Sequence, residues 1–249
     1  MASISCWGDE PGMKIYKYRE VDASDDRSVA RLTRIVRDGV IWCARPDTLN
    51  DPEEFAWAPD FTPSPNTLDV LEVLLQKANR QPAPDARRRA QTVLERGVLE
   101  SLGRPVIADM IRKMRGEVGV ACFGSTGDNP VLWSRYAGDG RGVVIEIDVP
   151  ESLLGTQLHR VIYDDDRSIH IDDFIRSMDE RDTGIGAFAT LLTKTRSWSP
   201  EQEIRFCSRE QQVEVRIDGS TVTGVVFGPG MSSADIAAVD HIAAGIPKR

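Results

Sequence analysis

Two glutamates stand two residues apart in the segment SWSPEQEIRF, residues 197–206. If a strand begins at Glu203, its period of two places Glu203 and Arg205 on one face, and Glu201 continues that row. Neighbouring carboxylates repel each other, so such a pair in front of a strand is more informative than one acid. Carboxylates held in this way can stabilise a developing positive charge, as they do in glycoside cleavage.

The same residues also admit a purely structural interpretation. Charged side chains often protect the exposed edges of β-sheets, and Arg205 can neutralise Glu203 at such an edge. The segment is then a solvated strand end without chemistry. The sequence leaves both interpretations open.

Three other places carry polar or aromatic residues that can bind a ligand. Ser125 and Thr126 lie between glycines after an apolar segment, where hydroxyl and backbone donors can meet an anion or an amide. Asn50 belongs to LNDPEEF, a predicted tight turn in which its side chain can equally have a structural role. Tyr136, in LWSRY, is predicted to form core or cleft wall, and stacking on a nicotinamide or adenine ring is the alternative.

Composition limits the class of protein. The chain has 249 residues, of which 41% are hydrophobic and 28% are charged, so it can bury a large core. Its formal net charge of −8 argues against general binding to a nucleic-acid backbone, although a local basic patch remains compatible with it. No apolar run reaches membrane-spanning length and no secretory leader is evident, so we predict a soluble cytoplasmic protein without membrane contact.

Neither the cysteines nor the histidines have the spacing of a metal site. The cysteines are far apart and are predicted to be reduced core thiols, and the histidines are scattered. We therefore predict no metal. The residues concerned are Cys6, Cys43, Cys122, Cys207, His159, His170 and His241.

The elements that must position these residues change character along the chain. Residues 14–44 read as strand, helix, strand, and the region of about 60–115 reads as a helical insert of two or three helices separated by RQPAPD and LGRP. The second half is rich in short strands, with helices at 171–195 and 232–244. We predict a single α+β domain spanning 1–249 with this insert.

Several motifs together resemble a known family. KYR, LNDPEE, ACF, LWSRYAGDGRGVVIEID, VIYDD and WSPEQEIRF are together similar to the bacterial family catalogued as domain of unknown function 2971. A more distant resemblance is to arginine-class ADP-ribosyltransferases, which carry an Arg, a Ser-Thr-Ser run and a Glu-x-Glu at strand ends in this chain order. Arg19, the GSTG segment and Glu201 to Glu203 follow that order.

This second resemblance implies a fold and a reaction. The fold is a split antiparallel-rich β-sheet with flanking helices, and NAD is the co-substrate. Glu203 would stabilise the oxocarbenium-like state formed when nicotinamide leaves, and Glu201 would orient or deprotonate the acceptor. Arg19 would hold the pyrophosphate, and Ser125 would hold Arg19 or the ribose.

The remaining residues of the implied NAD site are Thr126, Tyr136 and Asn50. The acceptor of ADP-ribose is an unknown protein or nucleic acid, as in a toxin or a phage-defence effector. Two alternatives stay open: a catalytically silent module that binds a nucleotide or a partner segment, and a structural or interaction protein with a charged sheet edge.

Overall fold

A computed structural model of the protein describes residues 13–51, 53, 58–79, 82–177 and 191–249. It is an α+β structure, as predicted. Its strands are β1 (Met13–Arg19), β2 (Val40–Cys43), β3 (Ala58–Asp60), β4 (Gly119–Gly124), β5 (Val143–Val149), β6 (Leu158–Arg160), β7 (Ile162–Tyr163), β8 (Ser168–His170), β9 (Thr193–Lys194), β10 (Glu203–Ser208), β11 (Val213–Arg216) and β12 (Thr221–Phe227). Its α-helices are α1 (Asp26–Val36), α2 (Thr67–Asn79), α3 (Ala83–Glu95), α4 (Leu99–Glu117), α5 (Pro130–Tyr136), α6 (Ile171–Ser177) and α7 (Ser233–Ile242).

The chain divides into two compact units. The sheet unit contains residues 1–48, 118–163 and 196–249, and the helical unit contains residues 49–117 and 164–195. The predicted insert, at about 60–115, belongs to the helical unit, which also contains residues 164–195.

A six-stranded antiparallel sheet organises the sheet unit, in the order β12-β5-β1-β4-β10-β6. Strands β1 and β5 pair at seven positions, and β4 and β10 pair at six. Between these two halves, β1 and β4 pair at a single position, Tyr16 opposite Gly124. The sheet is therefore nearly divided in its middle.

Both faces of this sheet are covered by helices. On one face, Leu32 of α1 and Val239 of α7 belong to the same core as Ile15 and Ile145. On the other face, Leu132 of α5 packs with Tyr18 and Val144. Because successive strand residues point to opposite faces, burial on both sides explains why five of the seven residues of β5 are apolar.

Residues 67–117 contain three helices, α2, α3 and α4, but one boundary predicted there is wrong. The LGRP segment was expected to separate two helices, yet Pro105 lies inside α4. The break between α3 and α4 occurs at Gly97, whose φ of 62° is a left-handed conformation that glycine adopts without steric cost.

The predicted helix at 171–195 also needs correction. Its first part is α6, residues 178–190 lie outside the described residues, and Leu191 and Leu192 are helical. Its end is extended, because Thr193–Lys194 forms β9, in agreement with the preference of β-branched threonine for strands.

The described cysteines are free thiols, and two of them lie in the core. Cys43 and Cys207 are buried and Cys122 is half-buried, all without a disulfide, while Cys6 lies outside the described residues. In the described part of the chain, no helix is long and apolar enough to cross a membrane.

Candidate functional site

A cavity of about 130 Å³ lies where β1 and β4 part. Four consecutive residues of β1, 16–19, line it together with residues 122–124 of β4. Alternate side chains of a strand point to opposite faces, so contact with four in a row places the cavity at the edge of β1. Leu132 and Tyr136 of α5, and the glutamates Glu201 and Glu203, complete its wall.

Glu203 forms a buried ion pair at this wall. Its carboxylate accepts hydrogen bonds from Arg205 Nε at 2.9 Å and from Nη2 at 3.3 Å. The two side chains are only 5% and 0% exposed. The predicted ion pair is thus confirmed, but its placement on an exposed edge is wrong, because β10 is paired with β4 on one side and with β6 on the other.

Glu201 reaches the same cavity by a different route from the predicted one. It ends a 3-10 helix, Arg196–Glu201, and does not extend the strand. The row is broken at Gln202, whose φ of 47° is left-handed. Glu201 is 1% exposed. Its carboxylate accepts hydrogen bonds from Arg135 Nη1 at 2.8 Å and from the Tyr136 hydroxyl at 3.0 Å.

Helix α5 holds this glutamate segment in place. Asn129 caps the helix by accepting the backbone N–H of Val131, and its Nδ2 donates to the carbonyl of Pro200 at 2.7 Å. The guanidinium of Arg135 lies 4.4 Å from the ring centroid of Trp198. One short helix therefore fixes both the backbone and the carboxylate of Glu201.

Burial controls the protonation of the groups beside the two carboxylates. It raises the pKa of the Tyr136 hydroxyl, and the charge of Glu201 adds to this effect. It also raises the pKa of the Cys122 thiol, with a contribution from Glu203. Both groups are therefore neutral hydrogen-bond donors at neutral pH, not anions.

The predicted ligand residues are only partly brought together. Arg19 and Tyr136 line the cavity with both glutamates. Ser125 lies just beyond β4, where its hydroxyl donates to Gln202 Oε1 at 3.2 Å and its backbone N–H donates to the Gln202 carbonyl. Thr126 accepts the Tyr18 hydroxyl through its carbonyl oxygen.

Ser125 and Thr126 are therefore neighbours of the site and not part of the cavity wall. Their observed contacts tie the end of β4 to Gln202 and to β1. Asn50 belongs to the helical unit, whereas the cavity is built from residues of the sheet unit.

Sequence reasoning missed Lys17 and Cys122. The amine of Lys17 donates to the carbonyl of Cys122 at 2.8 Å, in the region where β1 and β4 do not pair. A signal for Lys17 was present, because a strand residue two positions before Arg19 shares its face. Cys122 had no comparable signal, since an apolar neighbourhood predicts an inert core thiol.

Comparison with protein-family models, with curated proteins and with solved structures gave no match for the chain. The two family resemblances therefore stay predictions from sequence motifs. Among the described residues, no group of three or more His, Cys, Asp or Glu side chains is placed to hold a metal ion.

Proposed function

We propose that this protein cleaves NAD at the bond between nicotinamide and ribose and transfers ADP-ribose to an acceptor, as an ADP-ribosyltransferase-like enzyme. The observation that carries the proposal is that Arg19, Glu201 and Glu203 line one cavity with Tyr136, although β1 and β10 are far apart in sequence. The two strands meet there because both flank β4 in the central sheet.

The size of the cavity limits which part of NAD enters it. Sites that bury a whole drug-sized ligand typically have volumes of roughly 300–1,000 Å³. A cavity of about 130 Å³ instead matches a single ring, since about 150 Å³ holds benzene. The nicotinamide end fits this volume, and the adenosine half of NAD lies outside it.

Each residue then has a chemical role. Breaking the nicotinamide–ribose bond creates positive charge on the ribose, which the Glu203 carboxylate stabilises while Arg205 fixes its orientation. Glu201 orients or deprotonates the acceptor, a protein or nucleic acid. Arg19 offers a planar fork of donors that suits the diphosphate.

Substitution of Glu203 tests this assignment. Glu203→Gln keeps the size of the side chain and an acceptor for Arg205, so we expect NAD binding to persist while nicotinamide release falls about 100-fold or more, equivalent to about 3 kcal/mol. Glu201→Gln should spare much of the NAD hydrolysis and reduce transfer to an acceptor. Calorimetry measures binding, and chromatography of released nicotinamide measures turnover.

Glu214→Gln is the matched control, because Glu214 of β11 forms an exposed ion pair with Arg34 of α1. It should leave both signals unchanged. Equal nicotinamide release by the wild type, Glu203→Gln and Glu214→Gln would refute the proposed role of Glu203.

The second candidate is a silent binding module that holds NAD or a related nucleotide without turnover. One observation favours it: both carboxylates already contact an arginine, Glu201 with Arg135 and Glu203 with Arg205. Such partners reduce the negative charge available to a developing cation. Binding of NAD without any release of nicotinamide would favour this candidate over the enzyme.

A further inference from the structure

Lys17 lines the cavity in an unusual environment for a lysine. Its amine lies 5.2 Å from the ring centroid of Phe123 and donates one hydrogen bond, at 2.8 Å, to the carbonyl of Cys122. Among the described residues it forms no ion pair, in contrast to Lys14 on the same strand, which pairs with Asp148 at 2.8 Å. The amine of Lys17 is therefore held at a cavity wall and pairs with no carboxylate of the described residues.

A cationic side chain two residues away faces the same cavity. Arg19 shares the strand face of Lys17, because side chains alternate along β1. A neighbouring positive charge and removal from water are the two features that make a lysine amine nucleophilic at neutral pH. The cavity is partly open to solvent, and Tyr136 in its wall is 37% exposed.

We propose that Lys17 is a carbonyl-binding lysine, which condenses with small aldehydes that carry a carboxylate. The lone pair of the amine attacks the aldehyde carbon and a carbon–nitrogen bond forms. The carbonyl oxygen leaves as water with the two protons of the amine, so that an imine joins the ligand to Lys17. Arg19 binds the carboxylate of the ligand through its planar fork.

Size agrees with this class of ligand. The cavity of about 130 Å³ approaches the volume of about 150 Å³ that holds benzene, and the smallest aldehyde with a carboxylate, glyoxylate, is smaller than benzene. This proposal does not depend on cleavage of NAD, because its reacting group is an amine that has no role in that reaction. Arg19 is the one residue that both proposals use as an anion-binding group.

The surroundings of Lys17 support a neutral amine. Burial lowers its pKa below the usual value, and the charge of Arg19 acts in the same direction. Cys122 of β4, Glu203 of β10 and Cys43 of β2 act in the opposite direction, with smaller effect than burial. Since the net shift is downward, the reactive neutral form persists to lower pH than in a solvated lysine.

Reductive trapping with glyoxylate tests the proposal on the wild-type protein. The folded chain is incubated at pH 7 with glyoxylate and cyanoborohydride, which reduces the imine to a stable carboxymethyl amine, and the labelled peptides are quantified by mass spectrometry. We expect Lys17 to be labelled at least tenfold faster than Lys14, the matched control, whose side chain is 46% exposed.

The role of Arg19 is tested separately with acetaldehyde, which has a similar size and no charge. Wild-type Lys17 should prefer glyoxylate over acetaldehyde, and Arg19→Gln should abolish that preference. Equal labelling of Lys17 and Lys14, or labelling of Lys14 alone, would overturn the carbonyl-binding lysine. An equal preference in the wild type and Arg19→Gln would overturn the carboxylate as the recognised group. Neither result depends on whether the protein turns over NAD, so the two proposals fail independently.

Discussion

Two ion pairs, one from each unit of the chain, lie in opposite environments. In the sheet unit, the ion pair of Arg205 and Glu203 lies in the interior, with exposures of 0% and 5%. In the helical unit, the ion pair of Arg104 and Glu100 lies on the surface of α4, with exposures of 57% and 58%. Exposed ion pairs lose little hydration and contribute little to stability. Buried charges lose most of their hydration, which is costly, and they therefore need well-placed partners.

This difference shows where the charges are most informative about function. Sequence alone gives both pairs the same appearance, an Arg and a Glu within one turn or one strand. The interior pair borders a cavity with Lys17, Arg19 and Glu201, whereas the surface pair is an i, i+4 contact of the kind found on many solvated helices.

The largest expected effect separates the two ion pairs by stability. Arg205→Met keeps most of the side-chain volume but removes the guanidinium from a buried carboxylate, so we expect a loss of about 3–5 kcal/mol in the free energy of unfolding. Arg104→Met should cost about 0–1 kcal/mol. Urea unfolding measures both, and losses of similar size would show that the two pairs do not differ as proposed.

A second comparison uses one glycine from each unit. A Cβ atom at Gly124, where β1 and β4 make their single pair, would lie 2.5 Å from Leu132 Cδ1 and 3.1 Å from Tyr18 Cε2. We therefore expect Gly124→Ala to destabilise the protein by about 1–3 kcal/mol through overpacking. A Cβ at Gly116 in α4 meets nothing within 4 Å, so Gly116→Ala should stabilise the helix by about 0.5–1 kcal/mol.

Thermal unfolding of the two glycine variants shows directly whether each substitution stabilises or destabilises the protein. Opposite shifts in the midpoint support close packing at the parting strands. A stabilised Gly124→Ala variant would show that β1, β4 and α5 can separate further without cost.

Much of the secondary structure was predictable because it depends on local pattern. Apolar spacing predicted α1 and the helices of the insert, and alternation or apolar runs predicted β1, β4, β5 and β10. The errors arose where a single backbone conformation decided the outcome. The break between α3 and α4 lies at Gly97 and not at LGRP, which is inside α4. The left-handed Gln202 separates Glu201 from strand β10. Residue preference alone rarely identifies such left-handed positions, especially for a non-glycine residue.

The candidate site was predictable only in part. Glu201 and Glu203 were identified from their types and their place in front of a strand, and Arg19 from the resemblance to arginine-class ADP-ribosyltransferases. All three line the cavity. The burial of Arg205 was not predictable from the local sequence. It depends on the pairing of β10 with β6, which comes from a distant part of the chain. Alternation along β1 was a signal for Lys17 as a neighbour of Arg19, but the cavity beside it depends on the parting of β1 and β4, a long-range feature of sheet pairing that no local pattern reports.

The smallest expected effect concerns the pH dependence of the sheet unit. Burial raises the pKa of the Cys43 thiol from its ordinary 9.0 to about 11. Above pH 9 the thiol ionises in the unfolded chain but stays protonated in the folded one, so the unfolded state binds fewer protons and stability falls as pH rises. This contribution is fully present below pH 9 and is lost between about pH 9 and 11, by about 1 kcal/mol at pH 10.

Cys43→Ala isolates this contribution, because other groups titrate in the same range with different signs. The lowered pKa of Lys17, for example, makes stability rise with pH until the unfolded lysine loses its proton. Urea unfolding therefore gives the free energy of unfolding of the wild type and of Cys43→Ala at pH 7 and at pH 10. The contribution of Cys43 is the loss of stability of the wild type between these pH values minus the loss of the variant. The wild type should lose about 1 kcal/mol more than the variant over this interval. Equal losses would mean that the thiol of Cys43 ionises as readily in the folded protein as in the unfolded chain, which contradicts a dry interior beside β4.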